Sequence, residues 1–257
     1  MKVIAFLLAS ALPLAAQDLP PGLESARLLP GWVTGDGHRM TALELVLEPG
    51  WKTYWRSPGE TGIPPSFDWS GSENMGKVTI HWPRPQVIES AGEASLGYHD
   101  RLVLPIRIAP QAEGHPIRLA GSVEFGLCRD ICVPAHVALD PAPAGAEADP
   151  AILRALDDQP ARAQVQPPCR VEEIEDGMRI TLTLPDGPTP EAAAIELGDS
   201  AIWSSPVSLE AGGGGATASA EFVDDSGKPF PITPAEVRLT LIADGEATEY
   251  QGCRAGD

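Results

Sequence analysis

The 257-residue chain carries 36 acidic against 18 basic residues, a net charge of −18, together with 26 glycines and 27 prolines. A chain this acidic repels nucleic-acid phosphates and anionic membrane surfaces, and no Lys/Arg cluster reverses the field locally, which excludes nucleic-acid binding. Glycine and proline, about a fifth of the residues, leave few stretches long enough for helices and favour short strands joined by turns, so an all-helical bundle is excluded as well.

Residues 1–16 have one basic residue, Lys2, then the apolar run Val3–Ala9, and end in Ala15-Ala16. That is the layout of a secretory signal peptide, too short in its apolar part to span a bilayer. No later window is apolar enough for a membrane span, so the mature chain is expected to be exported and soluble in the periplasm. An exported chain lives where disulfides form, and its four cysteines, Cys128, Cys132, Cys169 and Cys253, allow three pairings.

Along the chain, residues 39–48 alternate Thr41, Leu43, Leu45 and Leu47 against Glu44, Val46 and Glu48, the pattern of a half-buried strand. Residues 101–108 repeat it with Leu102, Leu104, Ile106 and Ile108 inward, and Pro105, which has no N–H for a ladder, points to an edge or a bulge. Residues 116–126 alternate Ile117, Leu119, Val123 and Phe125 inward and run into Cys128. Residues 141–150 are Pro/Ala/Gly-rich and aperiodic, a linker, and Pro150–Asp158 is expected to form two helical turns. Alternation returns at Met178–Leu184 and Val237–Leu241, which predicts a second small β domain. The expected division is 1–16 signal peptide, 17–145 first domain and 146–257 second domain. The glycine run Gly212–Gly215 lacks the lysine and helix of a phosphate loop and is read as a hairpin tip. Trp51, Trp55, Trp69 and Trp82 suit core and turn packing in a small β domain.

The chemistry is expected in FGLCRDICVPA, residues 125–135, where three residues separate Cys128 from Cys132. A disulfide closing so short a loop contributes only about 2 kcal/mol in the chain-entropy model, whereas a Cys169–Cys253 bond would contribute about 4–5. A structural bridge is accordingly expected between Cys169 and Cys253, which flank the second domain. Spacing alone leaves three readings open for the short loop: a redox bond, a structural hairpin bond, and, because His136 extends the pattern to C-x₃-C-x₃-H, a Cu(I) or Zn²⁺ carrier. Pro134 disfavours the helix that would align those ligands. Arg129 and Asp130 offset each other, so any thiolate-stabilising charge has to come from elsewhere, with His99 and His136 as candidates. No nucleophile–His–Asp grouping stands out for hydrolysis.

Four segments in order, PGWKTYWRSPGETGIPPSFDWSGSENMG (49–76), VTIHWPRPQ (78–86), SLGYHDRLVLPIRI (95–108) and FGLCRDICVPA (125–135), resemble the N-terminal periplasmic domain family of the membrane thiol:disulfide reductase DsbD, and especially its ScsB-like relatives. The resemblance covers roughly residues 25–140. It implies an all-β chain of two immunoglobulin-like β-sandwich domains in tandem, the first carrying a cysteine pair that takes electrons from a separate membrane donor and reduces thioredoxin-like or disulfide-containing clients in the periplasm. It implies Cys132 as the exchanging sulfur and Cys128 as the resolving one, and protein-disulfide reductase activity if the pair is active. It also implies a cap loop, for which Glu89–His99 is the nearest segment, with Leu96, Tyr98 and His99 as its side chains. The family's cysteine spacing is longer than three, so its loop geometry does not carry over. Thiol–disulfide exchange requires neither metal nor organic cofactor.

Overall fold

The structure is a computed structural model that describes residues 19–90, 93–140, 142–198, 202–212 and 215–256. The expected signal peptide lies outside the described residues. No helix among those residues is long and apolar enough to cross a membrane.

The chain is all-β, two immunoglobulin-like sandwiches in tandem. The first is built from β1 (Leu23–Val33), β2 (Arg39–Leu47), β3 (Lys52–Tyr54), β4 (Ser66–Asp68), β5 (Met75–Ile80), β6 (Gln86–Ser90), β7 (Glu93–His99), β8 (Arg101–Pro110), β9 (Gly121–Cys128) and β10 (Cys132–Leu139). One sheet has the order β1-β2-β8-β5; the other has β10-β9-β3-β7-β6, with β4 paired to β9. Alternating residues of both sheets meet between them: Leu43, Leu45, Leu104 and Ile106 from the first, Tyr98, Val123, Phe125 and Leu127 from the second, and Trp55 just past β3 form one apolar core.

Two expectations about strands need correction. Pro105 lies in an interior strand, since β8 is flanked by β2 and β5. The proline is tolerated because β5 stops at Ile80, opposite Ile106, and the side of Pro105 that would have donated instead only accepts, from the His81 N–H at 2.9 Å. The expected strand 116–126 begins only at Gly121, although Ile117 and Leu119 are buried as anticipated.

Strand β2 is buried on both faces, which leaves Glu44 only 2% exposed. Arg27 Nε donates to Glu44 Oε2 at 2.6 Å and Arg101 Nε to Oε1 at 3.0 Å. Burial alone would push this carboxyl up, but the bonds from Arg101 and Arg27 outweigh it and hold the carboxyl below its ordinary 4.5.

After the linker, helix α1 (Pro150–Asp157) starts where expected: Asp149 caps it, accepting from the N–H groups of Ala151 and Ile152, and a proline opens the first turn. Its buried face sets Ile152 against Leu29, Met40 and Ala42, so the helix is packed on the outer face of the first sheet. The second sandwich follows. One sheet has Ala192–Glu196 at its edge beside Arg238–Ala243, Glu246–Gln251 and Ala161–Arg162; the other is centred on Gly177–Thr183 and Gly215–Val223. Ile180, Leu182, Phe222 and Leu239 fill it, together with a Cys169–Cys253 disulfide.

The two sandwiches share apolar surface, since Ala194, Ile242 and Ala247 of the second belong to the core cluster of the first. Beside them Arg56, stacked 4.1 Å over the Trp55 ring, donates to Glu196 (2.9 Å) and to Glu249 (2.8 Å). Nearby, Arg84 reaches Glu246 at 2.6 Å, Asp158 at 3.2 Å and the Gly245 carbonyl at 2.7 Å.

Two outcomes follow. Arg56→Met leaves two largely buried carboxylates without their cation and should lower stability by about 2–4 kcal/mol in urea unfolding. The stabilising share of Glu44 is complete above its unfolded value and is lost as pH falls through the lower folded value. Unfolding free energy should therefore drop on acidification below about pH 4.5, and Glu44→Gln, less stable at neutral pH, should show a flatter acid limb.

Candidate active site

Strands β9 and β10 form a hairpin in which Cys128 stands directly opposite Cys132, and Gly126 opposite Pro134. The Gly126 N–H donates to the Ile63 carbonyl (3.2 Å) and its carbonyl accepts from the Thr53 hydroxyl (2.9 Å), so both groups point away from β10. Gly126/Pro134 is therefore a non-hydrogen-bonded pair, and so is Cys128/Cys132 two residues on. Such pairs are the closer class in an antiparallel ladder, and the two cysteine Cα atoms are 4.1 Å apart, joined by a disulfide. The same parity turns the backbone of Cys132, Pro134 and His136 to the open edge of the sheet, where Pro134 has no N–H to offer.

The two sulfurs differ in access. Cys128 is 1% exposed, whereas Cys132 lies on the exposed row of β10, beside Ile131 at 70% exposure on the hairpin tip. The Tyr54 hydroxyl donates to Cys128 Sγ at 2.8 Å and lies 3.3 Å from Cys132 Sγ; burial pushes its phenol up, which keeps it a donor. Arg129 of the tip sits 5.4 Å over the Trp51 ring and bonds Asp130 at 3.1 Å.

Strands β3 and β4 occupy the same flank of β9, Lys52 opposite Cys128 and Ser66 opposite Glu124. The chain between them leaves the sheet and crosses its outer face, held by Pro58 O from Leu96 N–H (3.0 Å) and by Ile63 O from Gly126 N–H. A Cβ on Gly126 would come within 2.8 Å of Ile63 Cβ and 3.0 Å of the Tyr54 ring, and one on Gly62 within 2.8 Å of that ring. Only glycine lets the crossing segment and the Tyr54 ring lie this close to the sheet.

The expected cap residues are placed otherwise. Leu96, Tyr98 and His99 belong to strand β7, not to a loop: Leu96 and Tyr98 point into the core, and Tyr98 donates to Pro83 O at 2.8 Å. The alternation Ser95-Leu96-Gly97-Tyr98 is that of a strand with its large side chains on one face, and here both faces are covered. The segment lying over Tyr54 and Gly126 is instead 57–65. His99 pairs with Lys52, which pairs with Cys128, so its backbone is two ladder spacings, about 9–10 Å, from that of Cys128. His99 Nδ1 lies 3.3 Å from the Trp51 carbonyl. His136 is exposed, 3.4 Å from Glu124 across the ladder. It lies four residues along β10 from Cys132, about 13 Å, which removes the C-x₃-C-x₃-H reading as one metal site. No local sequence pattern marks Tyr54, Ile63 or Gly126 as site residues.

Residues 25–142 match the family described as thiol:disulfide interchange protein DsbD, N-terminal. The fold is similar to the crystal structure of the N-terminal periplasmic domain of ScsB from Proteus mirabilis, with a TM-score of 0.61 and 23% sequence identity over 90% of this chain and 92% of that one. No curated protein matches. The part of the chain that matches the DsbD N-terminal family is the first sandwich, with its hairpin cysteine pair.

Proposed function

We propose that the chain is a periplasmic thiol–disulfide exchange protein that accepts reducing equivalents from a membrane electron donor and passes them to disulfide-containing or thioredoxin-like clients through Cys128 and Cys132. The observation that carries this reading is the unequal access of the two sulfurs. Exchange proceeds by attack of a thiolate along the line of the disulfide, so the sulfur reached from solvent becomes the mixed-disulfide partner and the other becomes the leaving group. Here Cys132 is exposed and Cys128 is buried. The Tyr54 hydroxyl on Cys128 Sγ serves the departing sulfur, because a hydrogen bond to a developing thiolate is stronger than one to a neutral disulfide. The segment 57–65 is the element we assign to shielding the pair, with the Ile63 side chain lying against Gly126 of the hairpin.

A non-catalytic module with two structural disulfides is the contrasting reading, and trapping separates the two. Cys128→Ser should accumulate mixed disulfides through Cys132 in periplasmic extracts, while Cys132→Ser should not; absence of adducts in both would end the proposal. In a redox titration the pair should poise near about −200 mV, well above the −300 mV or lower typical of structural bonds. Tyr54→Phe, followed by stopped-flow reduction with dithiothreitol, should reduce about tenfold more slowly than wild type, the rate equivalent of one charge-assisted hydrogen bond to the leaving sulfur.

A further inference from the structure

Lys52 is an unusual residue for its place. It is 6% exposed in the short strand β3, and among the described residues no carboxylate is paired with it; burial alone pulls its ammonium below the ordinary lysine value. Lysine is rarely buried without a partner, because its charge is strongly hydrated in water. Its ladder position sets it beside the disulfide. Lys52 stands directly opposite Cys128, and in an antiparallel pair such residues project from the same face with Cβ atoms about 5 Å apart. Tyr54, two residues on and on that same face, already touches Cys128 Sγ.

We propose that Lys52 supplies the positive charge against which the Cys128 thiolate forms. The inference rests on the exchange reading above and adds a named residue to it. A donor thiolate attacks Cys132 Sγ, an S–S bond forms between donor and Cys132, and the Cys128–Cys132 bond breaks with its electron pair on Cys128 Sγ. The negative charge has thus moved from the donor to a sulfur buried beside Lys52. The donor's second thiolate then attacks the donor sulfur of the mixed disulfide and expels Cys132. The donor leaves oxidised, and Cys128 and Cys132 hold two electrons and take up protons from water as their pKa values dictate. In the forward transfer to a client, the Cys132 thiolate attacks the client disulfide and expels one client thiolate, and the Cys128 thiolate then attacks Cys132 Sγ, re-forming the Cys128–Cys132 bond and releasing the second client thiolate. Cys128 carries the charge in both directions, which is why a cation belongs beside it and not beside Cys132.

The other titratable groups around this position do not take that role. His99 faces Lys52 from β7, one strand farther from Cys128. Arg129 on the hairpin tip is engaged by Asp130 and Trp51. Tyr54 is a neutral donor with its phenol pushed up by burial.

The test is the thiol pKa of Cys128, followed by ultraviolet thiolate absorbance in a Cys132→Ser background with Cys169–Cys253 intact. Lys52→Met should raise that pKa by roughly one to two pH units, and Lys52→Arg should stay within about half a unit of the parent. Lys52→Gln, neutral, polar and one heavy atom shorter, should match Lys52→Met, so that a packing defect peculiar to the methionine variant does not decide the test. With Cys132 restored, Lys52→Met should exchange about tenfold more slowly near neutral pH, and the deficit should narrow as pH rises through the shifted pKa. A shift under about 0.3 unit in both neutral variants, or Arg behaving like Met, overturns the assignment. The two proposals fail separately: an unchanged pKa with adducts still trapped at Cys132 rejects Lys52 alone, and a shifted pKa without adducts rejects exchange.

Discussion

The register of β9 against β10 is the constraint from which the site follows. With Gly126 turned away from β10, every second pair along the hairpin falls into the close, non-hydrogen-bonded class, and Cys128 with Cys132 is the last of these before the tip. A slip of one residue would send one sulfur into the core and leave Val133 or Leu127 on the surface. The core itself opposes that slip, because Leu127, Phe125 and Val123 are buried on one strand and Ala135, Val137 and Leu139 on the other. Burial of one face thus fixes the chemistry carried on the other.

The same outer face is where the chain departs from a regular sandwich. Strand β3 stops after three residues, the chain crosses over Tyr54 and Gly126, and β4 resumes pairing with β9. The excursion begins with Trp55 and Arg56, so the residues next to Tyr54 also make the ionic contact with Glu196 and Glu249. A single stretch, 52–56, therefore faces the disulfide at one end and the second sandwich at the other. The second sandwich holds the root of the crossing segment in place through this cation, and the apolar contacts of Ala194, Ile242 and Ala247 lie beside it.

What the sequence made legible is what local pattern encodes. Period-two alternation marks β2 and β8, the short stretch after the linker marks α1, and the spacing of Cys128 and Cys132 marks the site. Edge or interior is not legible at Pro105, because it is decided by where a neighbouring strand ends, here Ile80, and no property of residues 101–108 reports that. The cap residues that the resemblance implies fall on β7, because Leu96 and Tyr98 alternate with Ser95 and Gly97 and belong to a strand. Tyr54 and Arg56 were not legible at all, since their partners lie 74, 140 and 193 residues away. Lys52 reads as an ordinary surface lysine until the ladder sets it opposite Cys128.

Pro134 carries a last consequence. An open sheet edge is a template onto which any extended polypeptide can zip, and a bond row of that kind is slow to dissolve. On β10 the row is broken two residues from Cys132, since Pro134 turns a methylene where the edge would present a donor. A visiting protein can reach the sulfur without being annexed as an extra strand. On the exchange reading proposed above, the missing hydrogen keeps each encounter brief.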